Sequence, residues 1–416
     1  MKKYDVAIIG GGFAGVGAAL AAARGGAKVL IVEKANCLGG AASNGLVNPF
    51  MPYWTEINGE RVNLSAGIFK EIHDRLEARQ AMWGETFLEE ELKFVLNDMV
   101  LEAGIDLLFH AYIFKATKCN GRIMSISVAT KSGEMQVEAD YFIDATGDAQ
   151  LAYLADCPTT LGREQDNLCQ PMTLCFRVGN IDRDKFYASQ ARLQKAYKES
   201  LAAGELINQK EDIFAFRYPI NNVLHFNTTR VTKKNPTDPI EVTEAEILAR
   251  QQIEEIYAFM KKHADGLENS FLMMSAAEIG VRESRMIVGD YKLTERDCVD
   301  CVKFDDAIAA CNYEIDIHNP EGTGTSHYFF PKGAYYTIPY RCLIPQGAEN
   351  MLVAGRCISS DHGAQASYRV MSTVCCIGEA AGAAIALAAK DGCGVREIDI
   401  KQLQRVLKEN NAFIGV

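Results

Sequence analysis

The chain has 416 residues, 48% of them hydrophobic, and a formal net charge of −11. That length can bury a large core and suggests two domains, or one large domain with an insertion. The acidic balance, with no run of basic residues, excludes nucleic acid or an anionic membrane as the main partner, and no uninterrupted apolar stretch reaches spanning length. The thirteen cysteines, irregularly spaced, read as reduced thiols of a cytoplasmic protein.

The first apolar run, Val6 to Ile9, breaks into glycines at 10, 12 and 15 and then into an Ala-rich stretch. The pattern predicts a buried parallel strand, a tight turn and a helix. Gly10 allows the turn, and Gly12, followed by Phe13 and Ala14, lets backbone N–H groups approach a pyrophosphate. Gly15 lets the helix lie close to the strand. A second apolar run ends at Glu33, twenty-three positions after Gly10, followed by Lys34. A carboxylate there can accept hydrogen bonds from both hydroxyls of a ribose, so the segment reads as a dinucleotide fingerprint. Lys2, Lys3 and the apolar run imitate a secretory leader, but Asp5, the glycines and the return to strand at 29–32 argue against one.

Gly39, Gly40, Ala41, Ser43 and Asn44 form a second loop of small residues directly after the ribose acid. Such a loop admits a bulky flavin close to the backbone; an ordinary glycine turn is the alternative. Apolar spacing predicts helices over 66–80 and 87–103, and Gly104 stops the second. A strand at 107–109 leads into a meander of strands at 112–118, 122–131 and 134–138, with turns at Asn120-Gly121 and Ser132-Gly133. A further strand from Asp140 ends in Thr146, Gly147 and Asp148, which would place compact groups and a carboxylate beside the cofactor.

Over residues 151–345 the texture changes. Strands are expected at 173–179, 213–218 and 225–231, and long polar helices at 182–203 and 244–263, the latter with Thr243 and Glu246 as a capping box. This reads as an inserted α+β domain that covers the cofactor and shapes a substrate pocket. Its candidate site residues are His225, Asn227, Arg230, Arg282, Arg285, His318 and Tyr336. Cys298 and Cys301 form one CxxC, either redox active or a chance spacing. A single pair lacks the other two ligands of a structural zinc site, so no metal is expected.

The C-terminal part is read as a strand ending in Gly355-Arg356, a small and polar loop over 359–370, and a helix of small residues over 372–389. Cys375 and Cys376 on that helix read as packing residues. The helix N-terminus, with Arg369 just before it and Met371 at its start, carries about half a positive charge. If it faces the flavin pyrimidine edge, both features favour an anionic reduced flavin.

Four blocks, Ile8 to Gly15, Leu38 to Ala41, Asp144 to Asp148 and Leu352 to Ser359, stand in the order found in a known family. The chain resembles the FAD-dependent oxidoreductases of the glutathione-reductase-like superfamily, most closely the group simply called FAD-dependent oxidoreductase. Glu379 stands where Gln is more usual. The resemblance implies a discontinuous Rossmann-like domain of residues 1–150 and 346–416, with a three-layer sandwich and a β-meander. It also implies noncovalent FAD, with adenosine at Glu33, pyrophosphate at Gly12 to Gly15, and the isoalloxazine between the Gly39–Asn44 loop and the C-terminal helix. Ile113, Thr146, Gly147, Asp148, Gly355, Arg356, Arg369 and Met371 complete the expected cofactor set. Cys37 stands alone and no second fingerprint occurs, which argues against a disulfide reductase.

The hypothesis for function is two-electron transfer between FAD and a small polar or anionic organic substrate. In it Arg230, Arg282 and Arg285 orient the substrate, Arg369 stands near the flavin, and His318 is the general acid or base. A flavoprotein electron-transfer subunit docking on a protein partner, or a redox-neutral lyase or isomerase, are the alternatives.

Overall fold

A computed structural model describes residues 3–416. The strand Tyr4–Ile9 lies at the centre of a parallel sheet in the order Asp106–Leu108, Val29–Val32, Tyr4–Ile9, Gly133–Asp144, Met351–Val353. Its side chains alternate as a buried strand's must. Val6 and Ile8 enter a core shared with helices, whereas Ala7 and Ile9 enter a core shared with the meander. The result is the expected three layers, with a mixed α/β fold around a parallel sheet.

The meander joins the parallel sheet through one strand rather than two. Residues 133–138 pair antiparallel with the Arg122–Thr130 strand, and residues 139–144 pair parallel with Tyr4–Ile9. No Gly or Pro interrupts the chain between Glu134 and Asp144, so the run expected as two strands stays extended throughout.

The helices Phe13–Arg24 and Met371–Asp391 cross on this sheet at unusually close range. A Cβ on Gly378 would lie 2.0 Å from the Ala14 carbonyl oxygen, one on Gly382 2.0 Å from that of Ala18, and one on Gly17 2.5 Å from that of Cys375. Two small-residue ridges four positions apart thus meet backbone to backbone, with Ala14 and Ala18 opposite Gly378 and Gly382. Among the described residues Met371–Asp391 is the one helix long and apolar enough to cross a membrane, and its spanning window is wholly buried inside the protein.

Glu379, on that helix, has a specific task. The helix Gly67–Ala78 begins at Ala66, which offers no capping side chain. Glu379 reaches across instead, and its Oε2 accepts a hydrogen bond from Ile68 N at 3.0 Å. Gly67, at φ +56°, leaves the space that the carboxylate occupies. An anion at a helix N-terminus is stabilised by the exposed N–H groups, but burial dominates and pushes the Glu379 carboxyl up to about 7.

A second core is built from residues between Met172 and Ile279, joined by Leu46. It fills the space between a four-stranded antiparallel sheet, in the order Ala215–Arg217, Val223–Phe226, Phe176–Gly179, Phe271–Ser275, and the helices Arg183–Ala202 and Pro239–His263. The longer helix starts at Pro239 under an Asp238 cap, not at the capping box expected from Thr243. Asp238 accepts from Ile240 N and Glu241 N, while Thr243 donates its hydroxyl to the Pro239 carbonyl inside the helix. Residues 293–344 do not belong to this core. Leu293, Cys298, Ile308, Tyr336 and Ile344 pack with the cofactor-side helices, so the segment expected as one insertion divides between two cores. The 359–370 stretch, expected as loop, holds a helix at His362–Tyr368, capped by Asp361 accepting from Ala364 N.

Two outcomes follow from the helix crossing. Gly382→Ala should destabilise the protein by about 1–3 kcal/mol, because the added methyl has no room; chemical denaturation will read it. The raised Glu379 carboxyl makes stability fullest below its usual 4.5 and declining as pH rises through about 7. Glu379→Gln should flatten that decline and gain on the order of 2 kcal/mol at pH 8, seen by comparing denaturation midpoints across pH.

Candidate active site

The glycine turn is shaped by backbone contacts. Gly10 stands at φ +104°, and a Cβ there would lie 2.4 Å from the Ala145 carbonyl oxygen; one on Gly15 would lie 1.9 Å from that of Gly10. Gly12 is open by contrast: a Cβ there would come no closer than 3.9 Å to Gly40 Cα. Gly39 N donates to Gly11 O at 2.8 Å, holding the second loop against the first. Glu33 is buried at the end of its strand, accepting from Gly11 N at 2.6 Å and Ala35 N at 2.8 Å.

The Thr146–Asp148 turn is fixed from beneath by fully buried Asp144. Its carboxylate accepts from Thr146 N, Thr146 Oγ1 and Ala152 N at 3.0, 2.7 and 2.9 Å. Asp148 Oδ1 accepts from Arg356 Nη2 and from Ser284 Oγ, both at 2.7 Å. Gly147, at φ +77°, lies directly under the Arg356 guanidinium. Gly355 at φ +102° turns the chain so that Arg356 can reach this pair.

The other cofactor candidates divide. Ala41, Arg356, Arg369 and Met371 line a cavity of about 590 Å³. Asn44 O accepts from Ala277 N and Glu278 N, and Lys34 pairs with Glu278 at 3.0 Å, so this loop is tied to the second core. Phe13 packs edge-on to Phe50, and Ala14 supports the helix crossing. The Ile113 side chain is buried in the meander core. Ser43 Oγ, Arg356 Nε and Arg369 Nε are buried with no protein partner. Glycines with no room for a side chain beside orphaned polar atoms are what an extended, hydrogen-bonding cofactor requires.

The cavity opens between this crevice and the second core. Its walls bring together Lys210, Asn227, Arg282, Asp316 and His318. Arg282 donates through Nη1 to Pro171 O and Thr173 Oγ1, both at 2.7 Å, and has no carboxylate partner among the described residues. Burial and the nearby Arg369 push it down to about 10. His318 is held on both ring nitrogens: Nδ1 faces Arg230 Nη2 at 3.0 Å and Thr325 Oγ1 at 3.1 Å, and Nε2 faces Asp316 Oδ2 at 3.2 Å. Burial, then Arg282, holds its pKa well below the usual value. A neutral ring accepting from Arg230 at Nδ1 and donating from Nε2–H to Asp316 satisfies both nitrogens, while Thr325 donates its hydroxyl to Glu211 at 3.1 Å.

Asp316 also receives Tyr313 OH at 3.3 Å and faces Arg369 Nη2 at 3.7 Å. Its pKa stays well below the carboxylate range despite burial, because His318, Arg369 and Arg282 face it. Arg230 donates to the Gly322 and Gly324 carbonyls at 3.0 and 2.9 Å; it braces the loop behind His318. Lys210 and Asp316 stand among the functional candidates without having been singled out for that role in the sequence. Lys210 lies in a polar stretch with no motif.

Arg285 is not brought to the cavity. It donates to Asp148 O at 3.0 Å and Gln150 Oε1 at 2.6 Å, lying over the Tyr153 ring, so it buttresses the Asp148 turn. Tyr336 is wholly buried and donates to Ser367 Oγ at 2.8 Å. His225 is fully buried with neither ring nitrogen partnered, and burial pushes it down to about 3. Cys298 and Cys301 are free thiols, and burial holds Cys298 well above the usual thiol range, the opposite of a reactive cysteine.

The second core is anchored to the first by a buried polar knot. Glu89, at the start of the helix Glu89–Glu102, pairs with Arg177 and accepts from Tyr218 OH at 2.8 Å and Asn48 Nδ2 at 2.9 Å. Asn48 itself lines the cavity, so the anchor and the pocket wall share a residue.

The model of the family "FAD dependent oxidoreductase" matches residues 5–407. The chain belongs to this family. No curated protein sequence matches it. Among solved structures it is similar to a geranylgeranyl bacteriochlorophyll reductase-like protein from Thermoplasma acidophilum, at 13% identity and TM-score 0.49, over 98% of this chain and 84% of that one. A p-nitrophenol 4-monooxygenase from Pseudomonas putida DLL-E4 matches at 10% identity and TM-score 0.48, over 99% and 84%. A flavin-dependent brominase matches at 13% identity and TM-score 0.44, over 99% and 84%. This FAD-dependent oxidoreductase therefore uses FAD, and its glycine turn and small-residue loops fit that group.

The His318 environment makes a direct spectroscopic expectation. Nitrogen NMR of histidine-labelled protein should show the His318 ring neutral, protonated at Nε2, and not titrating between about pH 6 and 8. A ring that gains a proton in that window would contradict the assigned contacts.

Proposed function

We propose that this FAD-dependent oxidoreductase transfers two electrons between noncovalent FAD and a small polar or anionic organic substrate held in the 590 Å³ cavity. The carrying observation is Arg282, a half-buried guanidinium facing the cavity with only neutral hydrogen-bond partners. A charge in that position is stabilised by an incoming acceptor. FAD, when bound, supplies the two-electron chemistry.

The chain's own residues do the rest. Glu33 and the backbone N–H groups of the Gly10–Gly15 turn would hold adenosine ribose and pyrophosphate. Asp148, locked by Arg356 and Ser284, would accept hydrogen bonds farther along the cofactor. The second core supplies one wall of the cavity, and the partial burial of the charges there strengthens their interactions. His318, neutral and held on both nitrogens, acts as a positioning residue that fixes Asp316, rather than as the proton-transfer group first expected. Polar groups converging on one concave cavity favour a small molecule over a docked protein partner.

The test begins with purified protein whose released flavin is identified, followed by anaerobic reduction and a screen for compounds that reoxidise it, with the converse screen on the oxidised form. Arg282→Met should retain flavin and its absorption spectrum while slowing electron transfer with the active compound roughly 10- to 100-fold. Unchanged transfer rates in this variant would remove Arg282 from substrate binding.

A further inference from the structure

The charges facing the cavity do not balance locally. Lys210, Arg282 and Arg369 on the cavity wall, with Arg230 behind it, converge on two carboxylates, while Arg356 is paired with Asp148 at 2.7 Å. Glu211 is shared between Lys210 at 3.6 Å and Arg230 at 3.4 Å. Asp316 is engaged by His318 at 3.2 Å and Arg369 at 3.7 Å. Of the other acids on the wall, Asp212 pairs with Lys198 at 2.8 Å and Glu314 is hydrogen-bonded to His327 at 2.9 Å, so that even with Glu314 counted the cations remain in excess. His318 is neutral and adds no charge.

Lys210 is the least satisfied of the four. Its side chain is about nine-tenths buried and lies over the Phe214 ring, and its ammonium has no hydrogen-bond partner among the described residues, its ion pair with Glu211 being long. Yet it lines the cavity. Arg282, which has no carboxylate partner, lines the same cavity. A buried and a half-buried cation without close carboxylate partners, beside one void, form a site for an anion.

We propose that Lys210 and Arg282 together bind an oxyacid anion of the substrate, a carboxylate or a phosphate, and that Lys210 gains a proton as the anion enters. This deepens the redox reading of the same cavity, and rests on it only in calling the anion a substrate. The protonation follows from the surroundings. Burial first, then Arg282 and Arg230, pushes Lys210 down to about 8, while Glu211 and Asp316 oppose that shift. An anion placed between the cations adds the missing opposite charge and favours the ammonium form. The proton comes from solvent, and no bond is made or broken in the ligand.

Isothermal titration of the FAD-loaded enzyme at pH 8, with malonate in one arm and inorganic phosphate in the other, tests this in two buffers of different ionisation enthalpy. At least one anion should bind with uptake of about half a proton, since a group titrating near 8 is half protonated there. The tighter arm assigns the oxyacid. Lys210→Met should weaken binding at least about 10-fold, and Arg282→Gln should do the same. Lys210→Arg keeps the charge and should keep binding while abolishing proton uptake. Failure of both anions to bind overturns the proposal, as does full affinity in Lys210→Met or uptake that persists in Lys210→Arg. Because the measurement involves no electron transfer, anion binding with no compound found to exchange electrons with the flavin would defeat the redox reading alone.

Discussion

The contact on which the structure depends is the crossing of the helices Phe13–Arg24 and Met371–Asp391. Gly378 and Gly382 leave no room for a side chain between their backbone and the carbonyls of Ala14 and Ala18, so the two chain ends are locked in one register. The first helix begins at the cofactor turn, and the second begins at Arg369 and Met371 on the cavity wall. The crossing therefore sets the distance between the cofactor turn and the substrate wall. Small side chains give up hydrophobic area to do this, and close backbone packing with dispersion contacts offsets the loss.

The second core needs its own attachment, and it uses polar groups where the first uses glycine. The Glu89, Arg177, Tyr218 and Asn48 knot is dry and charged. Such a pair adds little net stability, but an unpaired member is costly, so it holds its partners in one arrangement. The loop of Asn44, bound to Ala277 and Glu278, is a second tie. Together they place a cationic wall over a crevice built by the other core, which explains why charges distant in sequence meet at one void.

Legibility in the sequence followed locality. The cofactor turn was readable because glycine spacing, a strand before it and an acid after it are all local constraints on backbone geometry. The helix of small residues was readable for the same reason, but its partner was not, since Ala14 and Ala18 look like ordinary helix formers. Arg285 shows the limit plainly. Its neighbours in sequence resemble those of Arg282, yet one guanidinium enters the cavity and the other lies under Asp148. Only the three-dimensional path of the chain separates them. Lys210 carried no signal because its meaning lies in what surrounds it, and Thr243 misled because a proline and an aspartate four and five residues earlier made a better helix start.

The single strand Gly133–Asp144 has a bearing on how the protein is made. Its first half folds against the strand just before it and its second half can pair with Tyr4–Ile9, but the other edge of residues 142–144 stays unpaired until Met351–Val353, about half the chain later. The middle of the sheet is thus an open edge through most of synthesis, and long-range pairing of this kind is slow to close. Until the glycine-bearing helix emerges, the apolar faces of Val6 and Ile8 lack their cover. The nascent chain must therefore carry an exposed sheet edge while the second core, whose apolar residues all lie within 46–281, can already be complete. Assembly of the cofactor crevice belongs to the end of synthesis, although its signature stands at the beginning.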